Sequence, residues 1–473
     1  MKRAGFLAHS FFFGSSCEPN EDGADISALL LAGKAFLVLL MMPENRQHLL
    51  AGPEELAGMD KKEKYSEGRP AGGRYHGWWV VVCCFAIALY GWGFGFYGLA
   101  LYLVALHKAW NWTPTQISSA ITFYYIVGAF LVMQVGDLIH RYGARLVVLA
   151  GSGLMALGVA GVTLVREPWQ LYVAVAVMIP GWAAMGGGAI NTIIAQWFNR
   201  RRGWAASMAL NGATCAGLIF APALAWAIDT MGFAHACLAA IVVMLLTLWP
   251  LVAIVLRPRR SGEHDIGDEE TATTTETGEP MSRAELLRQP RYLTMVGAFS
   301  LGLLAQISFI AHQVAFLEPA LGLKGAGWAV SVSALSALVG RISVGLIIDR
   351  VDRRGASAVI LCVQIVSMIV LLTSQSIAGL YIGCILFGFG VGNLITLPGL
   401  IVQQEFPRRD FARAVSLNVA ITQLVAAIGP SILGILHDLS GDYRTSLIAC
   451  LVLEAAAAML VLVRPRRALT VDV

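Results

Sequence analysis

Long apolar stretches alternate with short polar ones along most of the chain. From Trp78 onward, each apolar stretch is close to the ~20 residues that a helix needs to cross the ~30 Å hydrocarbon layer of a membrane. The pattern therefore predicts twelve membrane-spanning helices. By residue number they cover 78–104, 117–138, 146–165, 169–197, 204–228, 234–256, 293–317, 326–348, 356–374, 378–404, 412–436 and 444–463.

The composition agrees with a membrane protein. Hydrophobic residues make up 57% of the 473 residues and charged residues only 14%, with a mean hydropathy of +0.67. Soluble domains carry roughly 25% charged residues, so this chain has too few charges for a surface that faces water. The net charge is only +4, and the basic residues form no stripe with interleaved aromatics, so we expect no nucleic-acid partner.

Nothing in the sequence indicates a cofactor. The eight cysteines form no CxxC pair and no cluster with histidines, which argues against a metal site. The glycine runs lie within predicted spans rather than in a βαβ unit, and no P-loop pattern is present. We therefore expect no metal or nucleotide cofactor. We also expect no enzyme activity, because no catalytic His/acid cluster is recognisable.

Basic residues mark one side of the membrane. They follow the even-numbered spans, whereas the other loops hold only scattered charges. The positive-inside rule then predicts that both termini are cytoplasmic. We predict a monomeric multi-pass protein of a bacterial inner (plasma) membrane.

Polar segments divide the chain into domains. Residues 1–75 are interpreted as an N-terminal extension, either disordered or produced by a misassigned start, with Met59 as the expected true start. Residues 257–291 are acidic and threonine-rich, and are predicted to be a cytoplasmic linker. This linker separates two six-helix halves, 76–256 and 292–467, and a cytoplasmic tail covers 468–473.

The two halves are related in sequence. A shift of 208 or 209 residues superimposes Gln196 on Gln404, Gly136 on Gly345 and Arg141 on Arg350. This near-constant offset indicates a duplicated six-helix unit. Repeats of this kind place a solute site near the membrane midplane, between the halves.

Two loops carry a recognisable signature. The chain reads GDLIHRYGAR from Gly136 to Arg145 and GLIIDRVDRR from Gly345 to Arg354. Both resemble the GxLaDRxGrR signature of the major facilitator superfamily, and the resemblance extends over residues 76–467. It implies an all-α membrane protein with the major facilitator fold. In that fold, twelve transmembrane helices form two pseudo-symmetric halves that move a solute by alternating access.

We expect the signature to form a conformational latch at the cytoplasmic seam. Its acids and arginines are expected to pair, and its glycines to let helices approach closely. His140 stands where the family usually has Asp, which weakens the first copy. The alternative is that the basic residues only anchor the topology. The expected latch residues are Gly136, Asp137, Arg141, Arg145, Gly345, Asp349 and Arg350.

Two further stretches narrow the resemblance. QWFNRRRGWA begins at Gln196, and GRISVG begins at Gly340. Both resemble the branch of monocarboxylate transporters and oxalate/formate antiporters, in which the eighth-helix arginine, here Arg341, contacts a carboxylate substrate. The chain departs from that branch at Ala337, where some animal members have Asp. It also lacks the lysine that those members carry in the first span and the antiporter lysine of the eleventh.

Arg341 is the strongest candidate for substrate contact. It lies eight residues before Asp349, about 12 Å along a helix, and therefore inside the hydrocarbon layer. A charge at that depth needs a partner or a wet cavity. We interpret its guanidinium as a fork-shaped receptor for a carboxylate. The alternative is a salt bridge, for which Glu454 is the only other acid deep in a span.

Other polar residues within the spans are expected to line the cavity or to hydrogen-bond between helices. His312 is a candidate for proton coupling because imidazole changes charge near neutral pH. Glu454 is a second candidate proton carrier. The substrate-binding residues expected beside Arg341 are His312, Gln313, Asn393, Asn211, Asn418 and Tyr124.

These expectations describe a secondary active transporter for a monocarboxylate-like organic anion. A membrane potential that is negative inside opposes anion uptake, so a proton or a counter-anion is the expected second partner. Two alternatives stay open. One is an efflux carrier for an uncharged or cationic compound, and the other is a non-transporting sensor or receptor on the same fold.

Overall fold

The computed structural model describes residues 76–198, 202–257 and 281–464. Nearly all of these residues are helical, and this part of the chain contains no β-strand. The predicted N-terminal extension, the expected start at Met59, most of the linker and the tail lie outside the described residues. The predicted domain bounds therefore stay predictions.

Eleven helices within the described ranges are long and apolar enough to cross a membrane. One of them, Pro290–Ile347, has 58 residues, and its helical geometry is broken at Gly322, with φ 68° and ψ 170°. Glycine suits a positive φ because it has no Cβ. Beyond this break the chain folds back, since Gln313 donates a 3.0 Å hydrogen bond to Ser333. The element is therefore two spans, and the predicted total of twelve is confirmed.

We number the spans α1–α12. In chain order they are Gly77–Trp110, Pro114–Tyr142, Ala144–Leu164, Pro168–Trp197, Arg202–Met231, Phe233–Val255, 290–321, 323–347, Arg353–Thr373, Ile377–Glu405, Arg413–Ser440 and Arg444–Leu462. A short helix, Arg283–Arg288, precedes α7. The predicted spans agree with these bounds to within a few residues at most ends.

Several spans begin at sequence-encoded caps. The Thr113 side chain accepts the Gln116 N–H at the start of α2, and Pro114 occupies the first helical position. Asp352 caps α9 through the Gly355 N–H, and Ser376 caps α10. These residues satisfy helix N–H groups that would otherwise lack partners at the ends of the spans.

Three spans of the first half are irregular near their middle. α1 contains a π-helical turn at Gly93–Tyr97, and α5 contains one at Ala216–Phe220. The Phe94 and Phe220 rings pack edge to face, with centroids 4.7 Å apart. α4 is interrupted at Gly186, whose backbone is extended. Such π-turns often occur at functional sites.

The halves are joined at one end of the bundle, the sealed end, which carries the α1–α2, α5–α6, α7–α8 and α11–α12 connections. There, Ser431 donates a 2.8 Å hydrogen bond to the Thr122 hydroxyl. Lys324 of α8 also pairs with Asp229 of α5 at 3.0 Å. Toward the opposite, open end, α8 is more exposed, with Leu346 at 76%.

Candidate functional site

Arg341 lies on α8, between the two ends of the bundle, and is partly exposed. Gly392 of α10 provides the room for its side chain: a Cβ at Gly392 would lie 2.8 Å from Arg341 Nε and 2.9 Å from its Nη2. Nε is buried and has no hydrogen-bond partner among the described residues. A charged group whose buried Nε lacks a partner at this depth is suited to receive an anion.

The alternative salt bridge with Glu454 is absent. Glu454 is fully buried, and neither carboxyl oxygen has a partner within the described ranges. Glu454 therefore does not neutralise Arg341 in this conformation.

The first half contributes Tyr97 to the surroundings of Arg341. Tyr97 ends the π-helical turn of α1 and lies close enough to Arg341 for the two side chains to interact electrostatically. A Cβ at Gly217 of α5 would lie 2.8 Å from the Tyr97 hydroxyl and 2.7 Å from Ala334 of α8. Ala334 precedes Arg341 by two helical turns on the same face. Tyr97 therefore sits where α1, α5 and α8 meet, on the sealed-end side of Arg341.

Behind Tyr97, aromatic side chains fill the first half. The Trp182 ring of α4 packs against Tyr124 and Tyr125 with centroids 6.2 and 6.4 Å away. Tyr124, a predicted substrate residue, is fully buried, and its hydroxyl has no partner among the described residues. A Cβ at Gly95 would lie only 2.5 Å from that hydroxyl, so α1 leaves room for it.

The three predicted asparagines lie on three different spans. Asn393 follows Gly392 on α10 and donates a 2.8 Å bond to the Phe389 carbonyl of its own helix. Asn418 on α11 is buried, and its Oδ1 has no partner in the described chain. Asn211 on α5 is partly exposed and precedes Gly212, which packs against the α1 backbone. Asn393 is therefore adjacent in sequence to the glycine that contacts Arg341.

His312 and Gln313 are engaged in packing within the second half. His312 Nε2 lies 3.0 Å from the Pro430 carbonyl, and Nδ1 lies 3.1 Å from the Tyr443 hydroxyl. Because a carbonyl only accepts, Nε2 donates and Nδ1 accepts. Burial raises the pKa of Tyr443 above its usual value, which keeps this hydroxyl a donor. Gln313 bonds Ser333 at 3.0 Å.

The predicted latch residues lie near the open end. Asp137, Arg141, Arg145 and Arg350 are exposed, and they form no ion pair with one another in the described structure. Arg141 instead stacks over the ring of Tyr142 at 5.3 Å. The side chain of Asp349 lies outside the described residues. The latch thus stays a prediction for a conformation in which this end is closed.

The two signature glycines, Gly136 and Gly345, differ in how closely a neighbouring helix approaches them. A Cβ at Gly136 would lie 3.8 Å from the Thr192 hydroxyl, an ordinary contact between α2 and α4. At Gly345 no described atom lies within 4 Å. The close approach expected at Gly345 is therefore absent in this conformation, because the end of α8 is exposed there.

Sequence reasoning missed one buried ion pair. Arg354 is one of the basic residues that follow the eighth predicted span, but it is only 2% exposed. Its guanidinium donates to both carboxylate oxygens of Glu405, at 2.6 and 2.9 Å, and to the Arg291 and Val461 carbonyls. These contacts join α7, α9, α10 and α12. The only sequence signal was an acid at the end of a span, 51 residues from its partner.

It also missed a contact between the halves. The Thr115 N–H, in the first turn of α2, donates a 3.0 Å bond to the Asp438 carboxylate of α11. A carboxylate is stabilised at a helix N-terminus by the helix dipole. Asp438 therefore helps to hold the sealed end closed.

Comparison with known proteins identifies the family. The model of the Major Facilitator Superfamily matches residues 83–397 and 316–472. Human monocarboxylate transporter 7 is 23% identical over 453 residues, covering 82% of this chain and 86% of that protein. Mouse monocarboxylate transporter 11 is 27% identical over 408 residues, covering 81% and 86%.

A solved structure shares the fold. A mutant of the nucleoside transporter NupG has a TM-score of 0.63 at 12% identity, covering 82% of this chain and 98% of that one. Together with the twelve spans and the duplicated signature, these matches establish that the chain belongs to the major facilitator superfamily, as a multi-pass membrane transporter related to the monocarboxylate transporters.

Proposed function

We propose that the protein moves a small, monocarboxylate-like organic anion by alternating access, with proton symport or anion exchange. Arg341 carries the proposal. Its guanidinium lies deep in α8, is partly exposed, and has a buried Nε without a partner in the described chain. A planar guanidinium binds a carboxylate through two parallel hydrogen bonds.

Two further observations support this proposal. Tyr97, from the other half, adds a hydroxyl near Arg341, so a bound anion would contact both halves. The relatives named above are called monocarboxylate transporters, which favours the same substrate class. The asparagines, Tyr124, Gln313 and His312 are proposed to shape or support the cavity.

The conformation fits one state of the cycle. The open end carries the basic loops that the sequence places in the cytoplasm. With both termini cytoplasmic, this conformation would face inward, and the signature would close that end in the outward-facing state. The bacterial inner membrane and the monomeric state stay predictions.

Uptake into proteoliposomes tests the proposal. The panel contains short monocarboxylates, dicarboxylates, and uncharged and cationic analogues of similar size. Replacing one member of a buried charge pair costs about 2–5 kcal/mol, so Arg341→Ala should lower carboxylate affinity roughly 30-fold or more. Arg341→Lys should recover only part of it, because a point charge replaces the fork. The matched control is Arg166→Ala, at an exposed loop position.

Each alternative function predicts a different outcome of these assays. Unchanged carboxylate transport by Arg341→Ala would remove Arg341 from the mechanism. Transport of only the uncharged or cationic members would favour the efflux carrier. Binding of a carboxylate in a thermal-shift assay, with no flux, would favour a sensor.

A further inference from the structure

A second polar region lies inside the second half. Four helices, α7, α9, α10 and α12, meet at Gly302 of α7. A Cβ at Gly302 would lie 3.2 Å from Leu361, 3.3 Å from Leu394 and 4.0 Å from Ala457. These residues mark one layer of the bundle formed by the four helices.

The next layer toward the sealed end is polar. α7 and α9 run toward that end, whereas α10 and α12 run away from it. One turn along each helix from the Gly302 layer therefore reaches Gln306, Gln364, Gly390 and Glu454. Sequence position and helix direction thus place two amides and one carboxyl group at the same depth.

These side chains are buried without hydrogen-bond partners. Gln306 is 1% exposed, and Gln364 and Glu454 are fully buried. Gln306 Nε2, both amide atoms of Gln364 and both carboxyl oxygens of Glu454 lack partners among the described residues. Buried polar atoms normally have a partner, so this layer is suited to hold a small polar ligand.

The charge environment of Glu454 favours a proton as that ligand. The glutamines and the glycine of the layer carry no charge, and the only titratable neighbour on α12 is Cys450, whose thiol faces the Ala305 carbonyl at 3.7 Å. Arg354 lies toward the open end and is bound to Glu405. At the sealed end, His437 and Asp438 pair with each other. An unpaired carboxylate is strongly destabilised in such an interior, and a bound proton removes its charge.

The layer and the arginine site share one wall, formed by α10. A Cβ at Gly390 would lie 2.5 Å from Gln364 Cγ, and one at Gly392 would contact Arg341. Residues two apart on a helix point about 200° apart, so the two contacts lie on opposite faces. Because both contacts are made by glycines of α10, a movement of this helix would change its contact with Gln364 and its contact with Arg341 together.

We propose that Glu454 is the proton-binding site of the transport cycle, completed by Gln306 and Gln364 and coupled to Arg341 through the glycine segment of α10. This inference rests on the proposed carboxylate transport. A proton passes from hydronium on one side to a carboxylate oxygen of Glu454, leaving water, and later passes to water on the other side. One proton moving with one monocarboxylate makes the cycle electroneutral.

The test uses the full chain in proteoliposomes, with radiolabelled lactate as probe and a trapped pH-sensitive dye. Glu454→Gln mimics the neutral carboxyl group but cannot release a proton. We expect this variant to lose proton-driven lactate accumulation and lactate-driven proton movement, while it keeps lactate counterflow. Glu285→Gln is the matched control, because Glu285 is an exposed capping residue of the short helix and Gln also caps.

The outcomes separate the two proposals. Retained proton-driven accumulation in Glu454→Gln, or net lactate uptake by the wild type without proton movement, would overturn the proton site but leave the anion carrier standing. Loss of lactate counterflow is instead the result expected of Arg341→Ala, which removes the anion site. If Glu454→Gln loses counterflow as well, Glu454→Asp, which keeps a carboxyl group, should restore both activities, and failure to do so overturns the inference. Infrared spectroscopy should show a protonated carboxylic acid band that is absent from Glu454→Gln.

Discussion

The two halves share one arrangement of six helices, but they differ in the polar and charged residues that those helices carry. Arg341, Arg354 and Glu454 all lie within the second half, whereas the first half contributes the uncharged Tyr97 to the surroundings of Arg341. The shift of 209 residues that relates the two signatures takes Val132 to Arg341. Val132 lies against Gly188 of α4, and Arg341 lies against Gly392 of α10, so the same pair of helices meets at a glycine in each half. A duplicated scaffold therefore preserves helix contacts and leaves the charge at each contact free to diverge.

Near the open end, the two halves differ again in the burial of the charged residue at equivalent positions, Arg354 in the second half and Arg145 in the first. A shift of 209 takes Arg145 to Arg354, and the shift of 208 that aligns Gln196 with Gln404 takes Trp197 to Glu405. In the second half the pair is buried and joins four helices, whereas Arg145 is exposed. Among the described residues, a buried ion pair thus holds this region of the second half together.

Replacing Arg354 and replacing the equivalent Arg145 should have very different effects on the free energy of unfolding. Arg354→Ala leaves the Glu405 carboxylate without its partner, and we expect the free energy of unfolding to fall by about 3–5 kcal/mol. The equivalent Arg145→Ala should change it by no more than about 0.5 kcal/mol. Unfolding in detergent, followed by circular dichroism, measures both. Equal effects of the two variants would refute the asymmetry.

The joint between the halves should weaken when Asp438 is replaced. Asp438→Ala removes the carboxylate that accepts the Thr115 N–H, and loss of such a cap costs about 0.5–2 kcal/mol. Because this bond joins the halves at the sealed end, we expect the variant to populate the conformation open at that end more strongly. Distances between spin labels on α2 and α11 report the shift.

Asp442→Ala is the control for that experiment. Within the described residues, the Asp442 carboxylate accepts the nearby Arg444 N–H, at 2.9 Å, and its carbonyl accepts the Ser440 hydroxyl, so these bonds stay within the second half. An equal shift in both variants would remove Asp438 from the closing contact.

The smallest effects on the free energy of unfolding are expected when a buried tyrosine of each half, Tyr292 or Tyr124, is replaced by phenylalanine. Tyr292 donates a 2.8 Å bond to the Ala414 carbonyl in the second half, so Tyr292→Phe should cost about 0.5–1.5 kcal/mol of unfolding free energy. The Tyr124 hydroxyl in the first half has no partner among the described residues, and Tyr124→Phe should be neutral within about 0.5 kcal/mol. Thermal unfolding measures both.

A large loss of stability in Tyr124→Phe would reveal a partner that the described structure lacks. If carboxylate uptake fell while stability held, Tyr124 would instead be a substrate contact.

Periodicity predicted the spans well because hydrocarbon length constrains every one of them in the same way. The break at Gly322 falls in the gap that the pattern predicted between the spans 293–317 and 326–348. Arg341 was found because a charge in a span stands out. The Arg354–Glu405 pair was not, because both residues lie at span ends, where charges are ordinary and only the burial distinguishes them.

Sequence alone determined the membrane-spanning class, the twelve helices, the duplication and the single deep arginine, because each follows from local composition or from a repeated pattern. The tertiary structure decided which groups share a layer. It placed Gly392 against Arg341, gave Asp438 to the first turn of α2, and brought Gln306, Gln364 and Glu454 to one depth. Those placements depend on how separate helices pack and in which direction each runs, and neither is encoded in any one segment.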